Sequence, residues 1–220
     1  YADTGSGVIT LNNPITLTGN IDIGSANGGG SSNFVLNGDI SGAFSITKNG
    51  LTRLTLNGVS TYSGGTTING SSFGRIIATN PAALGTGPIN INSGAILGID
   101  LNNATLVNNN TLTVTGSGVL IENGAGTVTM NNPIVVSAGG SLSINAGTAG
   151  SELVLAGNVT NNTGSININN YTSLGAINGD VTISGIIGSG SGSLSKFGAG
   201  TTLTLANNNT YTGTTTISAG

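Results

Sequence analysis

Hydrophobic and polar residues alternate along the chain in short segments. "LTLN" (54–57), "LTVT" (112–115) and "VTIS" (181–184) are typical, with apolar residues at i and i+2 and Thr, Asn or Ser between them. This period of two predicts strands with one buried face, roughly 25 of them in the whole chain. Clusters of Gly, Asn, Ser and Pro separate the segments, as turns require. Because no segment has the apolar spacing of a helix, we expect an all-β protein without substantial α-helix.

Internal repeats organise these strands. "GVITLNNPI" (7–15) returns as "GTVTMNNPI" (126–134), 119 residues later, and "LTLNGVSTYSGGTTI" (54–68) returns as "LTLANNNTYTGTTTI" (203–217), 149 residues later. The second half therefore carries about 30 extra residues, which lie between 163 and 194. We predict an internal duplication, approximately 7–97 and 126–220, within a single segment (1–220) of a longer protein. The equivalent positions mark the repeat: Asn13 and Asn132, Pro14 and Pro133, Tyr62 and Tyr211, Gly64 and Gly213, Ile68 and Ile217.

A duplication that accepts a modular insertion favours a solenoid, because each coil contacts only its neighbours. Asn-Gly pairs are hairpin signals, but Asn and Gly also provide the left-handed corners of stacked coils. Four such pairs occur, at Asn37-Gly38, Asn49-Gly50, Asn57-Gly58 and Asn178-Gly179. We predict a parallel β-helix, a β-solenoid of about 8–10 coils with roughly three strands in each coil.

The amino-acid composition excludes several classes of function. Among 220 residues, 39 are Gly, 5% are charged, and His and Cys are absent. Catalytic Ser-His-Asp or Cys-His groups and imidazole or thiolate metal sites are therefore impossible. The four basic residues form no cluster, which argues against nucleic-acid binding, and no apolar run is long enough for a membrane-spanning helix. The first residues lack the features of a signal peptide, which fits a mature or excised piece of a secreted protein. We predict no cofactor and no metal.

A family resemblance rests on "SLSKFGAGTTLTLANNNTYTGTTTISAG" (193–220). It combines a Lys, a Gly-x-Gly, a "TLTL" strand, an Asn-rich turn, "TYTG" and a "TTTI" strand. A first copy (45–70) has "NGLTR" where the second has "GAGT". The stretch resembles the autotransporter-associated β-strand repeat of bacterial type V passenger domains. The resemblance implies a right-handed β-helix that is secreted or displayed on the bacterial surface, anchored in the outer membrane by a region outside this chain. It implies a stalk or scaffold and offers no catalytic residues.

Several chemical interpretations compete with that role. Asp39, Lys48 and Arg53 could lie on adjacent coils as a catalytic group of a polysaccharide-active enzyme, or as a surface ion pair. "NGGGSSN" (27–33) has the glycines of a repeat calcium loop without its Asp, and a flexible turn is the simpler interpretation.

Repeated residue types suggest further roles. Thr-x-Thr pairs such as Thr127/Thr129 and Thr202/Thr204 could form an ice-binding surface, or could reflect the β propensity of Thr. The Asn runs 108–110 and 207–209 could stack as amide ladders between coils. Tyr62 and Tyr211 could pack at coil corners or stack against a sugar. The sequons at Asn103, Asn158 and Asn170 are expected by chance.

We therefore expect a non-enzymatic structural or adhesive segment, a stalk or passenger. The alternative is a self-assembling extracellular fibre subunit that stacks end to end, and a polysaccharide-active enzyme is the third hypothesis. The expected partners are other copies of the chain, by end-to-end or lateral association, and an unidentified host surface or glycan.

Overall fold

The computed structural model describes residues 7–24, 33–70, 74–170, 179–188 and 190–220. These residues form 25 short strands and no helix. The strands of the first half are β1 (Val8–Leu11), β2 (Ile15–Thr16), β3 (Ile21–Gly24), β4 (Asn33–Leu36), β5 (Ile40–Ser41), β6 (Ile46–Asn49), β7 (Arg53–Leu56), β8 (Thr66–Ile68), β9 (Arg75–Ala78), β10 (Ile89–Ile91), β11 (Ala95–Ile99), β12 (Ala104–Thr105) and β13 (Leu112–Val114). The strands of the second half are β14 (Ser117–Glu122), β15 (Thr127–Met130), β16 (Ile134–Val136), β17 (Ser141–Ala146), β18 (Glu152–Leu155), β19 (Val159–Asn161), β20 (Ser165–Ile168), β21 (Asp180–Ile183), β22 (Ile187–Gly188), β23 (Ser193–Lys196), β24 (Leu203–Leu205) and β25 (Thr215–Ile217).

The chain winds around three faces, and it passes face 1, face 2 and face 3 in that order. Face 1 is a ten-stranded sheet with the order β1-β4-β7-β9-β11-β14-β17-β20-β23-β25. Face 2 holds a two-stranded sheet (β2-β5) and a five-stranded sheet (β12-β15-β18-β21-β24), and face 3 is an eight-stranded sheet from β3 to β22. Strand pairs such as β1–β4, β10–β13 and β15–β18 are parallel and in register. The described residues thus form a β-solenoid of about eight coils, which confirms the predicted fold class; its right-handed sense stays a prediction.

Coil length varies although the stacking is regular. On face 1, the partner of Phe34 is Leu54, 20 residues later, whereas the partner of Ser165 is Ser193, 28 residues later. The register nevertheless stays continuous on face 1, where neighbouring parallel strands keep the usual spacing of about 4.8 Å.

The core is a stack of aliphatic side chains inside the coils. Alternate residues of each strand point inward, as in β7, where Leu54 and Leu56 are buried and Arg53 is exposed. The same alternation recurs in β18 and β20, whose burial alternates residue by residue. Burying Ile, Leu and Val in this way provides most of the stabilisation, since a solenoid has no other core.

The Asn-Gly pairs within the described residues form corners instead of hairpins. A Cβ atom on Gly38 would lie 2.0 Å from the carbonyl oxygen of Asn13, and one on Gly58 would lie 2.4 Å from the carbonyl oxygen of Gly38. Gly50 has a positive φ of 71°. Glycine is required there because backbones of successive coils come close or turn left-handed. Asn178 of the fourth pair lies outside the described residues.

The two offsets of the predicted duplication relate strands that lie on different faces of the solenoid. The 119-residue offset carries β1 and β4 of face 1 onto β15 and β18 of face 2. The 149-residue offset carries β7 of face 1 onto β24 of face 2, and β8 of face 3 onto β25 of face 1. Every matched strand therefore moves forward by one face, so the sequence repeats after a whole number of coils plus one third.

The extra residues of the second half correspond to one more coil. Counted along face 1, β1 and β15 are separated by five coils and one face, and β7 and β24 by six coils and one face. The span between 163 and 194 contains β20, β21 and β22, one on each face. The insertion therefore preserves the rotation between the halves.

Candidate functional site

Each copy of the repeat contains a buried lysine that is bound to main-chain carbonyl groups. Lys48 is fully buried, and its Nζ donates hydrogen bonds to the carbonyl oxygens of Asn49 at 2.7 Å and Gly50 at 3.0 Å. Burial lowers the pKa of Lys48 to about 8. The ammonium group thus binds the carbonyls at the end of β6 and in the turn that follows it.

Lys196 has the same arrangement at the equivalent place in the second copy. Its Nζ donates to the carbonyl oxygens of Phe197 and Gly198, the latter at 2.8 Å, and to Thr201 Oγ1 at 2.9 Å. Burial lowers the pKa of Lys196, and the nearby carboxylate of Asp180 opposes this change. The lysine is therefore a structural part of the repeat.

The two tyrosines of the repeat make the same hydrogen bond. Tyr62 OH lies 2.6 Å from Thr66 Oγ1, and Tyr211 OH lies 2.5 Å from Thr215 Oγ1. Tyr62 is fully buried. Burial raises its pKa to about 12, although the hydrogen bond with Thr66 partly opposes the rise. This geometry supports the packing interpretation for Tyr62 and leaves it no surface for stacking on a sugar.

The other repeat positions are equivalent in sequence but not always in burial. A Cβ on Gly64 would lie 2.3 Å from the carbonyl carbon of Phe44, and one on Gly213 would lie 2.1 Å from the carbonyl oxygen of Gly192. Ile68 is buried, whereas Ile217 is 74% exposed because no described strand lies beyond β25.

The Asn-Pro corners differ in the same way. Asn132 is buried and its Nδ2 donates to the carbonyl oxygen of Asn110 at 2.7 Å, whereas Asn13 is exposed on the first described coil. Pro14 and Pro133 are both exposed at the corner after a strand. These residues lie at the corners between β1 and β2 and between β15 and β16, and none carries a reactive group.

The proposed catalytic group is not assembled. Asp39 Oδ1 accepts a hydrogen bond from the backbone N–H of Val59 at 2.8 Å, and Arg53 projects outward from face 1. Lys48 points into the core from face 3, so the expectation of an exposed ion pair with this lysine is wrong. The physical reason is the alternation within β6, which places Ile46 and Lys48 on the same inner side.

Asparagine side chains link successive coils as an amide ladder, which runs through Asn49, Asn69 and Asn92 and not through the two Asn runs for which a ladder was predicted. Nδ2 of Asn69 donates to Oδ1 of Asn49 at 2.9 Å, and Nδ2 of Asn92 donates to Oδ1 of Asn69 at 2.6 Å. Asn108, from the first Asn run, donates to the carbonyl oxygens of Leu84, Gly85 and Gly87.

Other amides cap the backbone at the corners. Asn103 Oδ1 accepts from Thr127 N at 3.1 Å, Asn158 Oδ1 from Ile186 N at 3.0 Å, and Asn209 Oδ1 from Ile187 N at 2.8 Å. The ladder of main-chain hydrogen bonds between strands is interrupted at the corners, and side-chain oxygens accept hydrogen bonds from the backbone N–H groups there. The high Asn content is therefore structural, and it includes two of the three sequon asparagines.

The structure offers little support for the calcium-loop and ice-binding hypotheses. The glycine-rich segment 27–33 lies almost entirely outside the described residues. Within the part that the structure describes, no group of three or more Asp or Glu side chains could hold a metal ion. Thr129 and Thr204 belong to one outward row of face 2, but the adjacent row contains Glu152 and Asp180, which interrupt a regular threonine surface.

Two features escaped the sequence analysis. Glu122 is fully buried at the inner side of β14, and burial raises the pKa of its carboxyl to about 7. No described residue gives either of its oxygens a hydrogen bond of normal geometry, so the nearby Ser151 hydroxyl and Gly124 N–H only partly oppose this rise. The second feature is a cavity on the outer side of face 1, beside Arg53 and Arg75. The alternation in "GVLIE" (118–122) is a signal that could have placed Glu122 inward, whereas the cavity depends on the register between coils.

Comparison with known proteins supports one family. Residues 46–70 and 194–220 match the model of the passenger-associated-transport-repeat, over roughly a quarter of the chain. No curated protein and no solved structure matches the chain. The described residues contain no helix long and apolar enough to cross a membrane.

The fold and the repeats together define a class. The chain is a β-solenoid with two copies of one motif, each with a buried lysine and a tyrosine–threonine hydrogen bond. With the two family matches, the chain fits an autotransporter passenger repeat protein, which confirms the resemblance. The matched ranges begin one residue after the two copies found in the sequence and end at the same residues.

Proposed function

We propose that the chain is a non-enzymatic structural segment, a stalk or passenger, of a secreted or surface-displayed bacterial protein that is anchored in the outer membrane through a region outside this chain. The family match supports a passenger-type structural domain. The single observation that carries the proposal is that both matched copies use their polar residues to hold coil corners.

Surface display tests this function. The chain is fused between a signal peptide and an outer-membrane translocator in a Gram-negative host, and its exposure is measured by antibody labelling of intact cells. We expect the wild-type chain to be displayed as a protease-resistant β-rich rod. The double variant Lys48→Asp and Lys196→Asp should be degraded, because each carboxylate would face main-chain carbonyls inside the core.

The control is Arg53→Asp, which makes the charge change of each single lysine substitution on an exposed side chain and should be displayed normally. Retention of the wild-type fusion inside the cell would contradict the proposal. Release of reducing ends from a panel of polysaccharides by the purified chain would contradict the non-enzymatic part.

A self-assembling fibre subunit is a second candidate. It is supported by the apolar surfaces at the two ends of the described coil stack. Leu194, Leu203 and Ile217 line a cavity of about 390 Å³ at one end, and Leu11, Ile15 and Phe34 line one of about 340 Å³ at the other. A further coil would cover such a surface, whether it came from the same chain or from a second copy.

Electron microscopy and sedimentation of the purified chain distinguish the two candidates. Uniform filaments that Ile217→Lys converts into short rods would favour the fibre subunit. Single rods for both proteins would favour the stalk.

A further inference from the structure

The outer side of face 1 has an apolar area at its centre. Outward positions of this face are Ser or Asn in later coils, as at Ser143 and Asn167. In the central coils they are aliphatic instead. Ile96, Val119 and Ile121 form a hydrophobic cluster separate from the core and are at most 8% exposed.

Gly98 gives this area a depression. The register places Gly98 between Ile77 on β9 and Ile121 on β14. Gly98 has no side chain, and the outer surface there contains a cavity of about 270 Å³ with a floor formed by Ile77, Ile96, Gly98 and Ile121.

Two arginines border the cavity on one side. Arg53 and Arg75 are register partners on adjacent strands, and both line the cavity. Two guanidinium groups that line one cavity can both donate charge-assisted hydrogen bonds to a single carboxylate. These two residues are half of the basic residues in a chain whose net charge is −3.

Exposed hydrogen-bonding groups border the opposite side. Asp100 lies two residues beyond Gly98, and Asn123 lies two residues beyond Ile121, so both project from the same outer side. A carboxylate and an amide suit neutral hydroxyl groups. Asp100 would repel a second anionic group at that end.

We propose that this cavity binds one carboxylate-bearing sugar unit of an acidic polysaccharide. The sugar carboxylate pairs with the guanidinium groups of Arg53 and Arg75. The C–H surface of the ring lies on Ile77, which is part-exposed, and the ring hydroxyls bond to Asp100 and Asn123. This binding site goes beyond the stalk role and does not depend on it.

Calorimetric titration of the purified chain with trigalacturonate at low salt tests the proposal. Galactotriose is the neutral probe, and inorganic phosphate is the probe for a simple anion. We expect trigalacturonate to bind, and galactotriose and phosphate to bind at least about tenfold more weakly.

Two variants remove the site by different routes. Arg53→Gln with Arg75→Gln should weaken trigalacturonate binding about tenfold or more, because both charge-assisted hydrogen bonds are lost. Gly98→Val should do the same by filling the depression while it leaves every charge in place. A Cβ there meets the end of the flexible Ile77 side chain at 2.4 Å, which can turn aside.

The matched control for charge is the double variant Asn90→Asp and Thr160→Asp. It lowers the net charge by the same two units on face 3 and should bind trigalacturonate as the wild type does. The proposal is overturned if the wild type does not bind trigalacturonate, if this control loses as much affinity as the arginine variant, or if phosphate binds as tightly as the sugar acid.

Discussion

Single polar side chains inside the solenoid have distinct energetic roles. Lys48 makes two bonds to main-chain carbonyl groups, Tyr62 has one hydroxyl partner at 2.6 Å, and Glu122 is buried with little compensation. Burying a polar group without a partner costs free energy, so these three residues should respond differently to substitution.

Tyr62→Phe tests the hydrogen bond of the repeat. The variant keeps the packed ring and loses only the bond to Thr66, so the free energy of unfolding should fall by about 1 to 1.5 kcal/mol. Tyr211→Phe is the matched control, since the same bond is exposed there and should contribute less than about 0.5 kcal/mol. Urea unfolding monitored by circular dichroism gives both values. Equal losses would contradict a role for burial.

Glu122→Gln tests the buried carboxyl. Its pKa is about 7 when folded and about 4.5 when unfolded, so the stability of the protonated form is fully present below 4.5 and is lost as the pH rises to about 7. Above that pH, the amide should stabilise the fold by roughly 2 to 3 kcal/mol. Unfolding measured at pH 4 and at pH 8 checks this. A variant with the wild-type pH dependence would contradict it.

Lys48→Met tests the buried lysine in the opposite pH range. Its pKa falls from 10.5 to about 8 on folding, so the unfolded chain binds more protons between these values and the wild-type stability should rise with pH there. Met keeps the volume of the side chain and has no proton to release, so this rise should disappear. Thermal unfolding at pH 8 and at pH 10 measures it, and an unchanged rise would show that another group is responsible.

At the scale of strands and corners, the alternation of apolar and polar residues predicts the strands and their inner sides. It does not predict the register between coils. Period two in "ITKN" and "RLTL" predicts both the strands and their inner faces. It even places Lys48 inward, against the general expectation that charges stay outside. The face on which a strand lies depends on the summed lengths of all preceding coils, which vary from 20 to 28 residues. The cavity at Gly98 depends on that register and could not be found from sequence.

Asn108→Ala tests the corner amides. Asn108 is 3% exposed and its Nδ2 lies within 3.3 Å of three carbonyl oxygens, at Leu84, Gly85 and Gly87. Leaving these carbonyls unpaired should lower the free energy of unfolding by about 2 to 3 kcal/mol. Asn109→Ala, at the exposed neighbouring position, should change it by less than about 0.5 kcal/mol. Chemical denaturation compares the two, and a harmless Asn108→Ala would mean that water replaces the amide.

For the whole molecule, the structure resembles a stack of exchangeable layers. Most of the described strands pair with a strand of the coil before and a strand of the coil after. Stability is then close to a sum of coil and interface contributions, so a whole coil can be added or removed.

Removing residues 141–164 tests this additivity. Ser141 pairs with both Ser117 and Ser165, so the deletion brings Ser165 into register with Ser117. The shortened chain should keep its β circular dichroism, and small-angle scattering should find a rod about 4.8 Å shorter. Removing residues 141–152 should abolish cooperative unfolding, because it places the following strands on the wrong faces. A stable product of that half-coil deletion would argue against fixed faces.

The one-face rotation between matched strands determines in which directions the repeated side chains point around the solenoid axis. If a motif recurred after a whole number of coils, all its copies would lie on the same side of the solenoid, and the other sides would have none. Here each recurrence turns by one face, about 120° for a three-sided coil. If further copies of the repeat followed at the same spacing, the same side chains would point in three directions in turn, one for each face. Such a rod could approach a surface or a neighbouring rod from any side and meet the same chemistry.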